Sequence, residues 1–140
     1  FLPTRVPRLF KYANLRNHFE RTVLSEHSLS WTAFVVLWVT WIWEPIETRQ
    51  IAVEGGFSKA TLTGVLSTLE GRGWVTRQKS STDGRLVVVA LTDRGRDLMT
   101  HLFPAFNVQE QHIAGPIDAG KRQELAEMLR VITAGVERAE

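Results

Sequence analysis

Apolar residues recur at helical spacing along most of the chain and predict six helices. The first is predicted over residues 8–27 with one apolar side. The second, over 31–42, is apolar nearly all round and should be buried from several sides. Pro104 is expected to kink or interrupt the fifth helix. A third helix is predicted over 47–54, and the predicted N-caps of the second, fourth, fifth and sixth helices are Ser30, Ser58, Thr92 and Asp118.

Residues 74–91 follow a different pattern, because apolar and polar positions alternate over 74–79 and a run of β-prone apolar residues follows at 86–91. WVTRQK (74–79) predicts an outgoing strand, and residues 86–91 predict the return strand. Asp83-Gly84 lies between them and tolerates the positive φ angles of a tight hairpin. The expected fold class is therefore mainly α with a small β-hairpin wing, the element order of a winged helix-turn-helix.

The outer side of the fourth helix has an unusual composition. Leu62, Val65, Leu66 and Leu69 form one apolar stripe. The opposite side is small and hydroxylated, with almost no charge, and carries Ala60, Thr61, Thr63, Gly64, Ser67 and Thr68. Small side chains let a helix approach another surface closely. The alternative is an ordinary exposed helix side with mediocre helix propensity.

Composition adds a local basic bias and several exclusions. The net charge of the 140 residues is only +2, but seven cations and three anions between Gly56 and Arg96 give +4 there. This bias suits an anionic partner such as nucleic acid, although composition alone favours a mixed solvated surface. The absence of cysteine excludes disulfides and cysteine-ligated zinc. The apolar run 31–43 is shorter than the roughly 20 residues of a membrane span, so we expect a cytoplasmic protein without a membrane partner.

Residues 69–95, LEGRGWVTRQKSSTDGRLVVVALTDRG, carry a recognisable signature. The run resembles the MarR (multiple antibiotic resistance regulator) family of transcription factors, in which Asp-x-Arg at the wing tip precedes an apolar strand and Leu-Thr-x-x-Gly. The resemblance implies a winged helix-turn-helix DNA-binding domain over 29–96. Helical dimerisation regions over 1–28 and 97–140 would flank it. Gly64 departs from the pattern, since many members have a basic or bulky polar side chain there.

The same resemblance implies how DNA would be bound. The fourth helix would enter the major groove, Lys59 and Arg77 would anchor phosphates, and Arg85 would reach the minor groove. Asp83 would pair with Arg85 and fix the wing tip, although such a pair can also be an ordinary surface ion pair. The predicted DNA-binding residues are Ser58, Lys59, Ala60, Thr61, Thr63, Ser67, Arg77, Asp83 and Arg85.

The expected partners are a palindromic double-stranded operator and a second copy of the chain. Candidates for the dimer interface are Leu9, Phe10, Leu125, Leu129, Ile132 and Val136, which alternatively cover the monomer's own core. A small aromatic or phenolic effector is predicted to contact Arg16, His18, Trp31, Trp38 and Trp41, although tryptophans at helical spacing are more often core. The predicted function is a repressor that an effector releases from DNA. The alternative is a winged-helix protein-interaction module that does not bind DNA.

No enzyme, cofactor or metal site is predicted. The sequence lacks a Gly-rich phosphate loop, a G-x-S-x-G motif and an HExxH motif. Its four histidines are scattered and form no compact ligand cluster: His18, His27, His101 and His112.

Overall fold

A computed structural model describes residues 12–139 of the chain and the side chains of residues 15–136. The helices are α1 (Tyr12–Phe19), α2 (Trp31–Trp43), α3 (Thr48–Gly55), α4 (Lys59–Gly71), α5 (Asp93–Ala114) and α6 (Ala119–Ala139). The strands are β1 (Ile46–Glu47), β2 (Val75–Lys79) and β3 (Val87–Leu91). The predicted mainly α fold with a β wing is confirmed.

The first helix is less regular than the pattern predicts. Residues 8–11 of the predicted segment lie outside the described residues. After α1 the chain continues as a π-helical turn, Glu20–Leu24, and a 3₁₀ turn, Ser25–His27. The Thr22 hydroxyl donates to the His18 carbonyl oxygen at 2.7 Å, a local hydrogen bond of the kind that bends helices.

All four predicted N-caps are confirmed. In each, a side-chain oxygen accepts a hydrogen bond from the backbone N–H three residues later, at 2.9–3.1 Å. The pairs are Ser30 with Ala33, Ser58 with Thr61, Thr92 with Gly95, and Asp118 with Lys121. The start of each of these helices is therefore determined locally.

The sheet has three antiparallel strands in the order β1-β3-β2, so the predicted two-stranded hairpin was incomplete. Val89 of β3 pairs with Arg77 of β2 on one side and with Ile46 of β1 on the other. β1 has only two residues, too few to show an alternating pattern, and its partner is distant in the sequence. Pairing with β1 closes the edge of β3 that would otherwise be open.

The core lies where α2 meets the helix-turn-helix and the sheet. As predicted, α2 is buried from several sides, because it packs against α3, α4 and β3. Phe34, Val36 and Leu37 of α2 are fully buried. Glu44, just after α2, accepts a hydrogen bond from the Leu91 backbone N–H at 2.6 Å and links the end of α2 to β3.

The chain divides into two compact units, which meet between Phe106 and Asn107. In the first unit α5 buries Leu98, Met99, Leu102 and Phe106. Pro104 lies inside α5 and does not end it, so of the predicted kink or interruption only the interruption is excluded. In the second unit the apolar residues of α6 are exposed: Leu125, Met128, Leu129, Val131, Ile132 and Val136. They therefore form no core within the second unit.

Two glycines make a matched test of this packing. A Cβ on the buried Gly95 would lie 2.1 Å from the Trp74 carbonyl oxygen, whereas a Cβ on Gly64 would meet nothing within 4 Å. We expect Gly95→Ala to lower the free energy of unfolding by about 1–3 kcal/mol or more, because the backbone must shift. Gly64→Ala should raise it by about 0.5–1 kcal/mol, because alanine favours the helix. Urea denaturation followed by circular dichroism measures both, and equal stabilities would contradict the packing described.

Candidate nucleic-acid interface

Helix α4 has one side in the core and the other in solvent. Leu62, Leu66 and Leu69 are at most 3% exposed. The opposite side is exposed throughout: Lys59, Ala60, Thr61, Thr63, Gly64, Ser67 and Thr68. The small, hydroxylated side that the sequence predicts is therefore exposed to solvent. After Lys59, none of its side chains is larger than threonine.

Several hydroxyls on this surface already donate hydrogen bonds. Ser58 Oγ caps α4 and donates to Thr61 Oγ1 at 2.9 Å. The hydroxyls of Thr63 and Thr68 donate to backbone carbonyl oxygens four residues back, at 2.9 and 3.2 Å. These threonines keep their methyl groups and their oxygen lone pairs for an external partner.

The C-terminal end of α4 is held against the turn that precedes α2. Arg72 donates to the backbone carbonyl oxygens of His27 and Ser28. Its guanidinium carbon also lies 3.9 Å from the centroid of the Trp74 ring, a cation–π contact. These contacts anchor the end of α4 from which the wing starts.

A groove of about 420 Å³ lies between α3, α4 and the wing. Its lining combines apolar and hydroxylated side chains with three cations: Thr48, Arg49, Ala52, Lys59, Leu62, Thr63, Leu66, Arg77 and Val87. Three of the predicted DNA-binding residues, Lys59, Thr63 and Arg77, therefore lie together.

Arg77 is held by a carboxylate. Its Nη2 lies 3.0 Å from Glu70 Oε1, and its Nε donates to Glu70 Oε2 at 3.4 Å. The hydrogen bond from Arg77 lowers the pKa of Glu70, and the same bond raises the pKa of Arg77. Both groups are therefore ionised at neutral pH, and Arg77, one of the two predicted phosphate anchors, is paired with a carboxylate.

The wing tip carries the predicted pair of Asp83 and Arg85. Asp83 Oδ1 accepts from the Arg85 backbone N–H at 3.0 Å and from Arg85 Nε at 3.2 Å. Both hydrogen bonds lower the pKa of Asp83, and the one from the backbone N–H has the larger effect. The Arg85 side chain is 89% exposed, so the hairpin projects it into solvent. The Asp83 carboxylate accepts hydrogen bonds from the backbone N–H and the Nε of Arg85.

Two residues of this region were not expected from the sequence. Arg49 lines the groove from α3, and Glu70 holds Arg77 from the last turn of α4. Neither has a local pattern that marks it, because each meets its partners through the packing of the helix-turn-helix against the wing. In the sequence, Glu70 stands out only as part of the family signature.

The proposed effector residues lie at an aromatic cluster of the first unit. Trp31 stacks on Phe19 with centroids 5.5 Å apart, Trp38 contacts Phe103 at 5.1 Å, and Trp41 contacts Phe103 at 5.6 Å. The three indoles are thus part of the packing, which was the alternative to a ligand site. His18 contacts Phe19 edge to face, and Arg16 is half-buried on α1.

Neither a metal site nor a membrane span is present in the described part of the chain. Among the described side chains, those of residues 15–136, no group of three histidine, aspartate or glutamate residues is placed to hold a metal ion. No helix within residues 12–139 has both the length and the apolar character that a membrane crossing needs.

These features define a winged helix-turn-helix protein, and comparisons identify its family. A model of the MarR family matches residues 29–87. The chain is 36% identical over 118 residues to the uncharacterized HTH-type transcriptional regulator YwaE of Bacillus subtilis, covering 84% of this chain and 69% of that protein. It is 31% identical over 88 residues to the HTH-type transcriptional regulator SarZ of Staphylococcus saprophyticus, covering 63% of this chain and 58% of that protein.

Solved structures agree in fold. The PcaV transcriptional regulator of Streptomyces coelicolor, in complex with its natural ligand, superposes with a TM-score of 0.82 at 20% identity, over 96% of this chain and 93% of that one. The transcriptional regulator BldR of Sulfolobus solfataricus gives a TM-score of 0.82 at 22% identity, over 95% and 94%.

The chain belongs to the MarR family, as its wing signature predicted. Proteins of this family are transcription regulators that bind DNA and act as dimers. The prediction that the chain is not an enzyme is confirmed by this membership.

The hydrogen bonds at the wing tip predict a pH dependence. Because the pKa of Asp83 is lowered on folding, these bonds favour the folded wing above the ordinary carboxyl pKa. They are lost as the pH falls through the lowered pKa. An NMR titration should give Asp83 a pKa below that of the same residue in a free peptide of residues 80–86. Arg85→Gln should remove only the smaller part of the difference, because the backbone N–H remains. Equal values in protein and peptide would contradict these contacts.

Proposed function

We propose that this protein is a homodimeric repressor that binds a palindromic operator through α4 and the wing and releases it when a small aromatic molecule binds. The observation that carries the proposal is the exposed side of α4. It is free of bulky side chains and lies beside a groove lined by Arg49, Lys59 and Arg77. Two copies related by a two-fold axis would match two half-sites about one helical turn apart.

In this proposal α4 enters the major groove. Its N-terminus, capped by Ser58, would face a phosphate with the positive end of its dipole, and Lys59 would contact the same backbone. The small side chains would then reach base edges. The threonine methyls and the Ala60 methyl suit thymine methyl groups, and the Ser67 hydroxyl suits a base or a phosphate oxygen.

The wing would bind the adjacent minor groove. A narrow A·T-rich minor groove attracts an inserted arginine, and Arg85 extends from the wing tip with 89% of its side chain exposed. Asp83 would keep the base of that side chain in place through the backbone hydrogen bond at 3.0 Å. Arg77, deeper in the wing, would contact a phosphate near Lys59.

Dimerisation would use the regions 1–28 and 97–140. The exposed apolar residues of α6 support this role, because Met128, Leu129 and Ile132 are each more than half exposed in the single chain. Leu9 and Phe10, the other interface candidates, lie outside the described residues. A regulator that acts on genomic DNA would work in the cytoplasm.

An aromatic effector would bind near Trp31, Trp38 and Trp41, with Arg16 or His18 meeting its acidic group. Each of the three indoles is only partly buried, so each keeps an accessible edge beside the aromatic cluster. PcaV was solved in complex with its natural ligand, which shows that a protein of this fold can hold one.

Fluorescence anisotropy with palindromic duplexes from the gene's own neighbourhood tests the proposal. We expect binding that weakens steeply as salt rises, because phosphate contacts release counterions. Failure to bind any of these duplexes at low salt would instead favour a winged-helix protein-interaction module. Release of a bound duplex by an aromatic acid would support the effector.

Arg85→Ala should weaken operator binding by about 1–3 kcal/mol, because the minor-groove contact is lost. Its melting temperature should stay nearly unchanged, since the side chain is exposed and pairs only at the wing tip. Arg130→Ala, an exposed arginine on the side of α6 away from Leu125, Leu129 and Ile132, is the matched control and should bind like the unaltered protein. Equal operator affinity for the two variants would refute the minor-groove role.

Contacts to thymine methyls predict a dependence on the DNA bases themselves. Replacing thymines of the major-groove half-sites by deoxyuridine removes one methyl each and should cost about 0.8 kcal/mol per contacted base. The same replacement in the spacer between the half-sites is the control and should have no effect. Unchanged affinity for a fully uracil-substituted operator would show that α4 does not read thymine methyls.

A further inference from the structure

Arginines on the proposed DNA surface are each paired with a carboxylate. Arg49 Nε lies 2.8 Å from Glu47 Oε2, and Arg85 Nε lies 3.2 Å from Asp83 Oδ1. The pair on the wing strand differs from these two in its exposure. The side chains of Arg49 and Arg85 remain 78% and 89% exposed, whereas that of Arg77 is only 30% exposed.

The position of Arg77 on β2 explains why its side chain is less exposed than those of Arg49 and Arg85. It lies two residues after the buried Val75 on β2, so the two side chains leave the strand on the same side, toward the helices. There Glu70, in the last turn of α4, accepts two hydrogen bonds from the Arg77 guanidinium, one from Nη2 and one from Nε. A paired guanidinium of this kind has its charge balanced and two of its donors already used.

We propose that Glu70 restrains DNA binding by holding Arg77 in an ion pair that a DNA phosphate has to displace. The inference rests on the proposed function, because it assumes that the groove beside Lys59 faces the DNA backbone. As DNA approaches, Arg77 would exchange a carboxylate for a phosphate, and the freed carboxylate would repel the DNA. Glu70 therefore lowers the affinity for any duplex, whatever its sequence.

The restraint is present at every physiological pH. Arg77 lowers the pKa of the Glu70 carboxyl, so the carboxylate stays ionised. Among the residues with described side chains, 15–136, Arg77 is the ion-pair partner of Glu70. The pair acts as a constant charge on the interface and is not a pH switch.

Glu70→Gln is the sharpest test, because glutamine keeps the shape and one acceptor oxygen but loses the charge. Binding to a random-sequence duplex is measured by fluorescence anisotropy at several salt concentrations. In the unaltered protein the freed Glu70 carboxylate offsets the charge that Arg77 brings to the phosphate. Without it each wing neutralises one more net charge, so affinity in roughly 0.1 M salt should rise about five- to tenfold per wing. The slope of log K against log salt should steepen by about 0.9 per wing. Glu127→Gln, the same charge change on an exposed residue on the side of α6 away from Leu125, Leu129 and Ile132, should leave the slope unchanged.

A second variant assigns the effect to the pair. If Glu70 acts through Arg77, then Glu70→Gln should strengthen binding much less in an Arg77→Gln background. Weaker binding by Glu70→Gln, an unchanged slope, or an equal effect without Arg77 would each overturn the inference. If the unaltered protein binds no duplex, the proposed function fails instead. Melting temperatures close to that of the unaltered protein would show that all variants are folded.

Discussion

Burial of the leucine stripe of α4 is the constraint on which the rest of the structure depends. Leu62, Leu66 and Leu69 lie in the core, each at most 3% exposed, and hold α4 against α2. Because a helix repeats about every 3.6 residues, burying this stripe turns Ala60, Gly64 and Ser67 outward. The exposed surface of α4 is thus produced by the same packing that stabilises the domain.

The position of the wing depends on contacts at the C-terminal end of α4. Arg72 holds this end against the turn before α2, and Thr92 Oγ1 donates to the Gly73 carbonyl oxygen at 2.6 Å. The strand that follows is therefore fixed relative to α4 before it reaches the hairpin tip. The wing tip carries its own contact between Asp83 and Arg85, which the folded hairpin holds in place.

Local patterns predicted the parts of the fold that local physics determines. The leucine spacing of α4 and the four N-caps each follow from neighbouring residues, and the structure confirms them. The chain does turn at Asp83-Gly84, but neither residue has the positive φ expected of a tight hairpin, because the loop spans residues 80–86. Contacts between distant segments were missed. β1 forms only because Ile46 pairs with Val89. Arg77 is half-buried in an ion pair only because the packing of the wing brings Glu70 close to it. At Pro104 the helix is not interrupted, because α5 continues through it.

The central claim is that two copies of the winged helix-turn-helix bind one duplex. Hydroxyl-radical footprinting of a bound genomic fragment tests this claim most directly. We expect two protected blocks centred about one helical turn apart, on one side of the duplex, with minor-groove protection flanking them where the wings lie. A single protected block, or protection without minor-groove flanks, would contradict a dimer that binds through α4 and the wing.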